Sequence, residues 1–101
     1  MKKFLVLFLM ICTPLKADEE KKFFDLLKEN DKILWLRHFS APGGGDPDNF
    51  DVKVRSTQRN LGSFGIKHGR KYSRLFKKNK VEIKHALSSQ WFRAMETCQF
   101  F

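Results

Sequence analysis

The stretch that decides the fold is ILWLRHFSAPGGGDPDNF, residues 33–50. A short apolar run ends on an arginine-histidine pair, Arg37 and His38, and then gives way to proline, three glycines and acidic residues. The run is too brief for a helix and is apolar enough for a strand that is buried on both faces. The sequence therefore predicts a strand over Ile33–Arg37 that ends in a polar loop.

Three helices and a second strand are predicted around this stretch. Acidic residues begin a helix that runs through residues 18–30, and helical spacing returns over Ser63–Lys78. VEIKHAL, residues 81–87, favours a strand, and residues 91–101 begin another helix. This alternation predicts an α/β fold, a partial three-layer α/β/α sandwich in which the strands at 33–37 and 81–87 lie side by side in parallel.

Residues 1–17 have the layout of a secretory signal peptide. Lys2 and Lys3 precede an apolar run that is about half as long as the roughly 20 residues of a membrane span. Ala17 offers a small residue for cleavage, and lipidation of Cys12 is a weaker alternative. We therefore expect an exported protein, periplasmic or secreted, with one domain over residues 18–101 and no membrane contact after cleavage.

The composition bounds what that domain contains. The chain has 101 residues and a formal net charge of +9, which allows one domain and a modest core. Beyond the predicted signal peptide Cys98 is the only cysteine, so neither an internal disulfide nor a cysteine zinc site can form there. We expect no metal and no cofactor.

Arg37, His38 and Arg93 are the candidate site residues. In open α/β sheets ligands bind beyond the carboxyl ends of the strands. Arg37 and His38 lie at the end of the first predicted strand, and Arg93 lies one helical turn beyond the residues that end the second. Arginine side chains bind phosphate oxygens in pairs. A histidine whose one ring nitrogen is held by a hydrogen bond can attack phosphorus through the other. The pattern predicts a phosphate site with His38 as nucleophile and two arginines as ligands.

Three ordered motifs, LRHFSAPGGGDPDNF, STQRNLGSFG and SSQWFRAMET, resemble the histidine phosphatase superfamily. The likeness is to its phosphoglycerate mutase-like fold, particularly the exported bacterial branch, and runs from about Lys32 to the last residue. It implies a hydrolase that cleaves a phosphomonoester through a phosphohistidine on His38. By the same resemblance Arg37 and Arg93 bind the phosphate of the substrate or inorganic phosphate. The substrate's identity and the oligomeric state stay open.

Some positions depart from the family pattern. Gly62 stands where a Ser or Thr helix cap is usual, so we expect a weaker helix start. Phe39 replaces a small residue, so we expect it to crowd the loop. We expect Arg59, in the second motif, to face the substrate entrance, a role that the resemblance does not itself assign.

The family's second histidine and its acidic proton donor come from a later segment than the one seen here. His68 and His85 do not match that histidine, and the acid candidates Glu96 and Asp46 have no motif behind them. We therefore expect residues 18–101 to be the N-terminal part of a histidine phosphatase domain, and a poor catalyst as given.

An alternative reading is a secreted binding protein that works through charge. The predicted helix at 63–78 carries a basic face over residues 67–78, which could meet nucleic acid, anionic lipid or acidic polysaccharide. Such a face is usually only solvated, and we expect no nucleic-acid partner. The face comprises Lys67, Arg70, Lys71, Arg74 and Lys78.

Overall fold

The computed structural model describes residues 17–101. They belong to two units that divide between Trp35 and Leu36. The apolar run of the predicted signal peptide lies outside the described residues. Within them no helix is long and apolar enough to cross a membrane.

The first unit contains helix α1, Ala17–Leu27. Three acidic residues fill its first turn, where the helix dipole favours negative charge. Phe24 is buried, and its ring meets that of Phe23 edge-on with 5.2 Å between centroids. This helix was predicted from the sequence and is confirmed.

The second unit contains a short 3₁₀-helix, Arg55–Thr57, and two α-helices, α2 over Ser63–Lys78 and α3 over Phe92–Cys98. Both α-helices were predicted. Helix α2 begins after Gly62, which gives no side-chain cap. A Cβ at Gly62 would lie 2.9 Å from the ring of Pro42, so packing excludes the usual Ser or Thr cap here.

The predicted α/β sandwich is wrong. Neither Ile33–Arg37 nor Val81–Leu87 forms a strand, and the only β pairing within residues 17–101 is an isolated antiparallel bridge between Asp51 and Val54. A strand needs a neighbour that pairs its backbone N–H and C=O groups, and no such neighbour exists in the described chain. The apolar side chains predicted to be buried are instead exposed, to 78% at Trp35 and 95% at Leu87.

The core of the second unit forms around the residues that follow His38. Phe39 is buried, and its ring stacks on those of Tyr72 and Phe101, with centroids 5.9 and 6.1 Å away. Phe39 therefore packs in the core and does not crowd the loop. The buried centre is Phe39, Ala41 and Leu61, and the partly buried residues around it are Ile66, Tyr72, Phe100 and Phe101.

Helix α2 lies very close to the backbone of this segment. A Cβ at Gly65 would stand 2.3 Å from the carbonyl oxygen of Ser40. Glycine in a helix interior costs about 1 kcal/mol relative to alanine, so its presence here has a packing reason. Gly65 lets the helix approach the chain two residues after His38.

Candidate functional site

Thr97 connects helix α3 to the segment that carries His38. Its hydroxyl accepts the backbone N–H of Phe39 at 3.1 Å and donates to the carbonyl of Arg93 at 2.7 Å. The side chain is almost fully buried. A buried N–H needs an acceptor, so this bond fixes the distance between the Phe39 backbone and the turn of α3 that holds Arg93.

Gln58 holds the beginning of α3 in a similar way. Its Oε1 accepts the N–H of Phe92, the first residue of the helix, at 3.0 Å. Its Nε2 donates to the carbonyl of Asp51 at 2.9 Å. The buried amide thereby satisfies one free N–H of the helix start and ties it to the neighbouring loop.

His38 is held in one tautomer. Its Nδ1 lies 2.7 Å from the carbonyl oxygen of Phe39. A carbonyl only accepts hydrogen bonds, so Nδ1 carries the hydrogen and Nε2 carries the lone pair. Within residues 17–101 Nε2 has no hydrogen-bond partner. The lone pair is therefore available to attack an electrophile.

The surroundings of His38 favour its neutral form. Burial lowers the pKa of the imidazole below 6.5, and the positive charges of Arg93, Arg37 and Arg59 lower it further. The hydrogen bond to the carbonyl of Phe39 acts in the opposite direction. The net effect keeps the ring uncharged, as a nucleophile requires.

The guanidinium of Arg93 is buried, and its contacts fix its orientation. Its Nη1 donates to Asp46 Oδ1 at 3.0 Å and to the carbonyl of Arg59 at 3.1 Å. Its Cζ lies 4.4 Å from the ring centre of Trp91, in a cation–π contact. Nε and Nη2 donate to no acceptor in the described part of the chain. That edge offers the paired N–H groups that match two phosphate oxygens.

Arg37 lies beside His38 and is exposed. It forms no hydrogen bond or ion pair with any described residue, although its charge acts on His38. Of the predicted site residues, Arg93 is anchored, His38 is oriented, and Arg37 is not held by any of the residues that the structure describes. All three belong to the second unit.

Asp46 lies near these residues, although no motif supported it as the acid. The loop that leads to it contains Gly43 and Gly45, whose φ angles are positive, 122° and 132°. Its Oδ1 accepts the backbone N–H of Arg59 at 2.8 Å and the Nη1 of Arg93. The N–H of Arg59 and the side chain of Arg93 hold the pKa of this carboxyl below its ordinary value, against the effect of burial.

Arg59 adds a further guanidinium. Its Nη1 donates to the carbonyl of Ala41, three residues after His38. Its Nε is buried and has no hydrogen-bond partner among residues 17–101. The STQRNL motif was the sequence signal for this residue, and the hydrogen bonds now place its backbone against Asp46 and Arg93.

The remaining acid candidate, Glu96, and the two other histidines, His68 and His85, have different surroundings. Both carboxylate oxygens of Glu96 are engaged by Arg55, at 2.6 and 3.3 Å. The His68 ring packs against Phe64 on α2, with 4.3 Å between centroids, and His85 is exposed. Within residues 17–101 no group of three or more His, Cys, Asp or Glu residues could hold a metal ion.

No family model, no curated protein and no solved structure matches this chain.

Proposed function

We propose that this chain is a phosphatase of the histidine phosphatase type, with His38 as the nucleophile and Arg37 and Arg93 as phosphate ligands. One observation carries the proposal: the Nδ1–H of His38 is bound to a backbone carbonyl while its Nε2 has no partner in the described chain. Burial and the guanidinium charges nearby lower the pKa of that ring, which favours its neutral form. We also propose that the enzyme is exported, because residues 1–17 have the sequence pattern of a signal peptide.

The reaction has two steps. The Nε2 lone pair of His38 attacks phosphorus, the bond from phosphorus to the ester oxygen breaks, and that oxygen leaves with its electron pair and takes a proton from solvent. Water then attacks the phosphohistidine and gives a proton to solvent, the nitrogen–phosphorus bond breaks, and inorganic phosphate leaves while Nε2 regains its lone pair. Arg37 and Arg93 bind the oxygens of the transferring group and stabilise its charge.

The leaving oxygen needs a proton, and neither acid candidate is suited to give one. Asp46 is bound to Arg93 and to the backbone of Arg59, which favours the ionised form. Glu96 is paired with Arg55. A substrate whose leaving group is already stable as an anion avoids this need. We therefore expect aryl phosphates with acidic phenols to react faster than alkyl phosphates.

The test is release of nitrophenol from nitrophenyl phosphate by the purified chain. We expect one equivalent to appear in a burst, followed by slower turnover, and we expect His38→Ala to abolish both phases. His68→Ala is the matched control, since that histidine lies on α2 with its ring against Phe64, and it should retain the burst. An unchanged burst in His38→Ala would refute the proposal.

A second function is favoured by the surface of α2. This helix contains no acidic residue, and its six exposed lysines and arginines cover an arc of about 120° at 100° per residue. We call this face the basic stripe. Uncompensated charge of one sign attracts polyanions. The basic stripe comprises Lys67, Arg70, Lys71, Arg74, Lys77 and Lys78.

Heparin, as an acidic polysaccharide, is a suitable probe of the basic stripe. We expect the chain to elute from immobilised heparin at high salt, and Lys71→Gln with Arg74→Gln to elute at clearly lower salt. A control that removes two exposed lysines of α1, Lys21→Gln with Lys22→Gln, should change elution little. Equal shifts for the two pairs would show that only net charge matters and would remove the case for a specific face.

A further inference from the structure

Asp46 occupies a central place in the proposed phosphate site. One oxygen of its carboxylate accepts two N–H groups, one from the Arg93 side chain and one from the Arg59 backbone. Arg93 in turn donates to the carbonyl of Arg59 at 3.1 Å. These three bonds close a ring of contacts between the glycine loop, the STQRNL segment and α3.

The ring of contacts determines which edge of Arg93 is available. Asp46 and the carbonyl of Arg59 both bind Nη1, and the guanidinium lies over Trp91. The edge formed by Nε and Nη2 remains, and within residues 17–101 it has no acceptor. Without the carboxylate, one of the three contacts that set this direction is lost. The side chains of Asp46 and Arg93 are only 15% and 11% exposed, so water screens their attraction little.

We propose that Asp46 is a positioning residue, which aims Arg93 at the phosphate and fixes Arg59 beside it, and that it is not the proton donor of the reaction. This inference rests on the function proposed above. It also bears on the substrate. With Asp46 ionised, Arg37, Arg59 and Arg93 together leave two net positive charges at the site, which suit a dianionic phosphomonoester better than a singly charged diester.

Trp91 provides a direct readout, because the Arg93 guanidinium lies 4.4 Å from its ring centre. The chain has two tryptophans, and the other, Trp35, is exposed and belongs to the first unit. In a Trp35→Phe background, fluorescence therefore reports Trp91 alone. Sulfate is the probe, since it is a tetrahedral dianion that cannot be turned over.

We expect sulfate to change the emission of Trp91, and we expect Asp46→Asn to weaken sulfate binding about tenfold, the size of one charge-assisted hydrogen bond. The amide holds Arg93 less firmly, and this loss should outweigh the removal of a negative charge that repels sulfate. Tighter sulfate binding in Asp46→Asn would overturn the inference. Asp46→Glu keeps the carboxylate on a longer side chain and should recover part of the affinity. Glu96→Gln is the matched control, since it neutralises a carboxylate of the same helix that carries Arg93, and should change affinity less than twofold. Circular dichroism of each variant establishes that it is folded.

A second measurement separates positioning from proton donation. A positioning residue affects nitrophenyl and alkyl phosphates alike, so Asp46→Asn should reduce kcat/KM for both by similar factors. A large extra loss for the alkyl phosphate, with unchanged sulfate affinity, would make Asp46 the proton donor and overturn the inference. If Asp46→Asn were unfolded and Asp46→Glu bound sulfate normally with normal rates, the inference would also fall. Sulfate binding that is unaffected by Arg93→Gln would instead refute the proposed function itself.

Discussion

The hydroxyl of Thr97 accepts the backbone N–H of Phe39 across 58 residues of sequence, at 3.1 Å. The same hydroxyl donates to the carbonyl of Arg93 one turn earlier in α3. A single buried side chain thus connects the backbone next to His38 to the helix that carries Arg93, the proposed phosphate ligand. This contact holds the segment that carries His38, the proposed nucleophile, against the helix that carries Arg93.

Replacing Thr97 tests this connection. Thr97→Val keeps the shape but leaves the N–H of Phe39 without an acceptor, so we expect the free energy of unfolding to fall by about 1–3 kcal/mol. Thr97→Ser keeps the hydroxyl, so its free energy of unfolding should fall less. Urea unfolding followed by circular dichroism measures both. No loss in Thr97→Val beside a clear loss in Thr97→Ser would mean that the methyl group matters and the hydrogen bond does not.

Gly65 tests the close approach of α2 to the chain after His38. Alanine there should gain about 1 kcal/mol from helix propensity, yet its Cβ would stand 2.3 Å from the carbonyl oxygen of Ser40. Overpacking against backbone costs about 1–3 kcal/mol, so we expect a net loss of stability. Thermal unfolding of Gly65→Ala beside Lys71→Ala, an exposed control on the same helix, measures it. A raised Tm for Gly65→Ala would contradict the close contact.

His38 makes the stability of the fold depend on pH. Burial and the neighbouring arginines lower its pKa below 6.5 in the folded chain, so the unfolded chain binds the proton more readily. Stability is therefore full above the unfolded pKa and falls as the pH drops from about 6.5 toward the folded pKa. Comparing unfolding free energies at about pH 7.5 and pH 5 should show this loss in the wild type and a smaller one in His38→Gln. An identical loss in both would assign the effect to other groups.

Arg55 and Glu96 form a partly exposed ion pair, with side-chain exposures of 52% and 24%. Pairs of this kind contribute about 0–1 kcal/mol. We therefore expect Glu96→Gln to alter the unfolding free energy by less than about 1 kcal/mol and to leave turnover of an alkyl phosphate, whose leaving oxygen needs a proton, unchanged. Alkyl phosphate turnover lowered more than tenfold, with the fold intact, would restore Glu96 as a candidate acid.

The parts of the fold that the sequence predicted are those set by local spacing. Helix α1 follows from its acidic first turn and apolar face, and α2 from the helical spacing of its apolar residues, all of which are local properties. The prediction of strands at 33–37 and 81–87 was wrong, because an apolar run is buried as a strand only if a second segment pairs with its backbone. The exposure of Ile33, 72%, shows that no such pairing buries it in the described chain.

The same distinction applies to the candidate site. Arg37, His38 and Arg93 were singled out from ordered motifs, and Arg59 lay within one of them. The roles found for Asp46 and Thr97 depend on contacts across 47 and 58 residues, which spacing along the chain does not encode. The sequence predicted a turn at the glycines before Asp46, two of which have positive φ angles. It did not predict which arginine the turn approaches.

The most direct test of the central claim is to locate the phosphoryl group itself. The chain is mixed with nitrophenyl phosphate, quenched in alkali, where phosphohistidine survives, and mapped by mass spectrometry. We predict one phosphoryl group on His38, its absence in His38→Asn, and a much reduced yield in Arg93→Gln. A phosphoryl group on His68 or His85, or an equal yield in His38→Asn, would contradict the account.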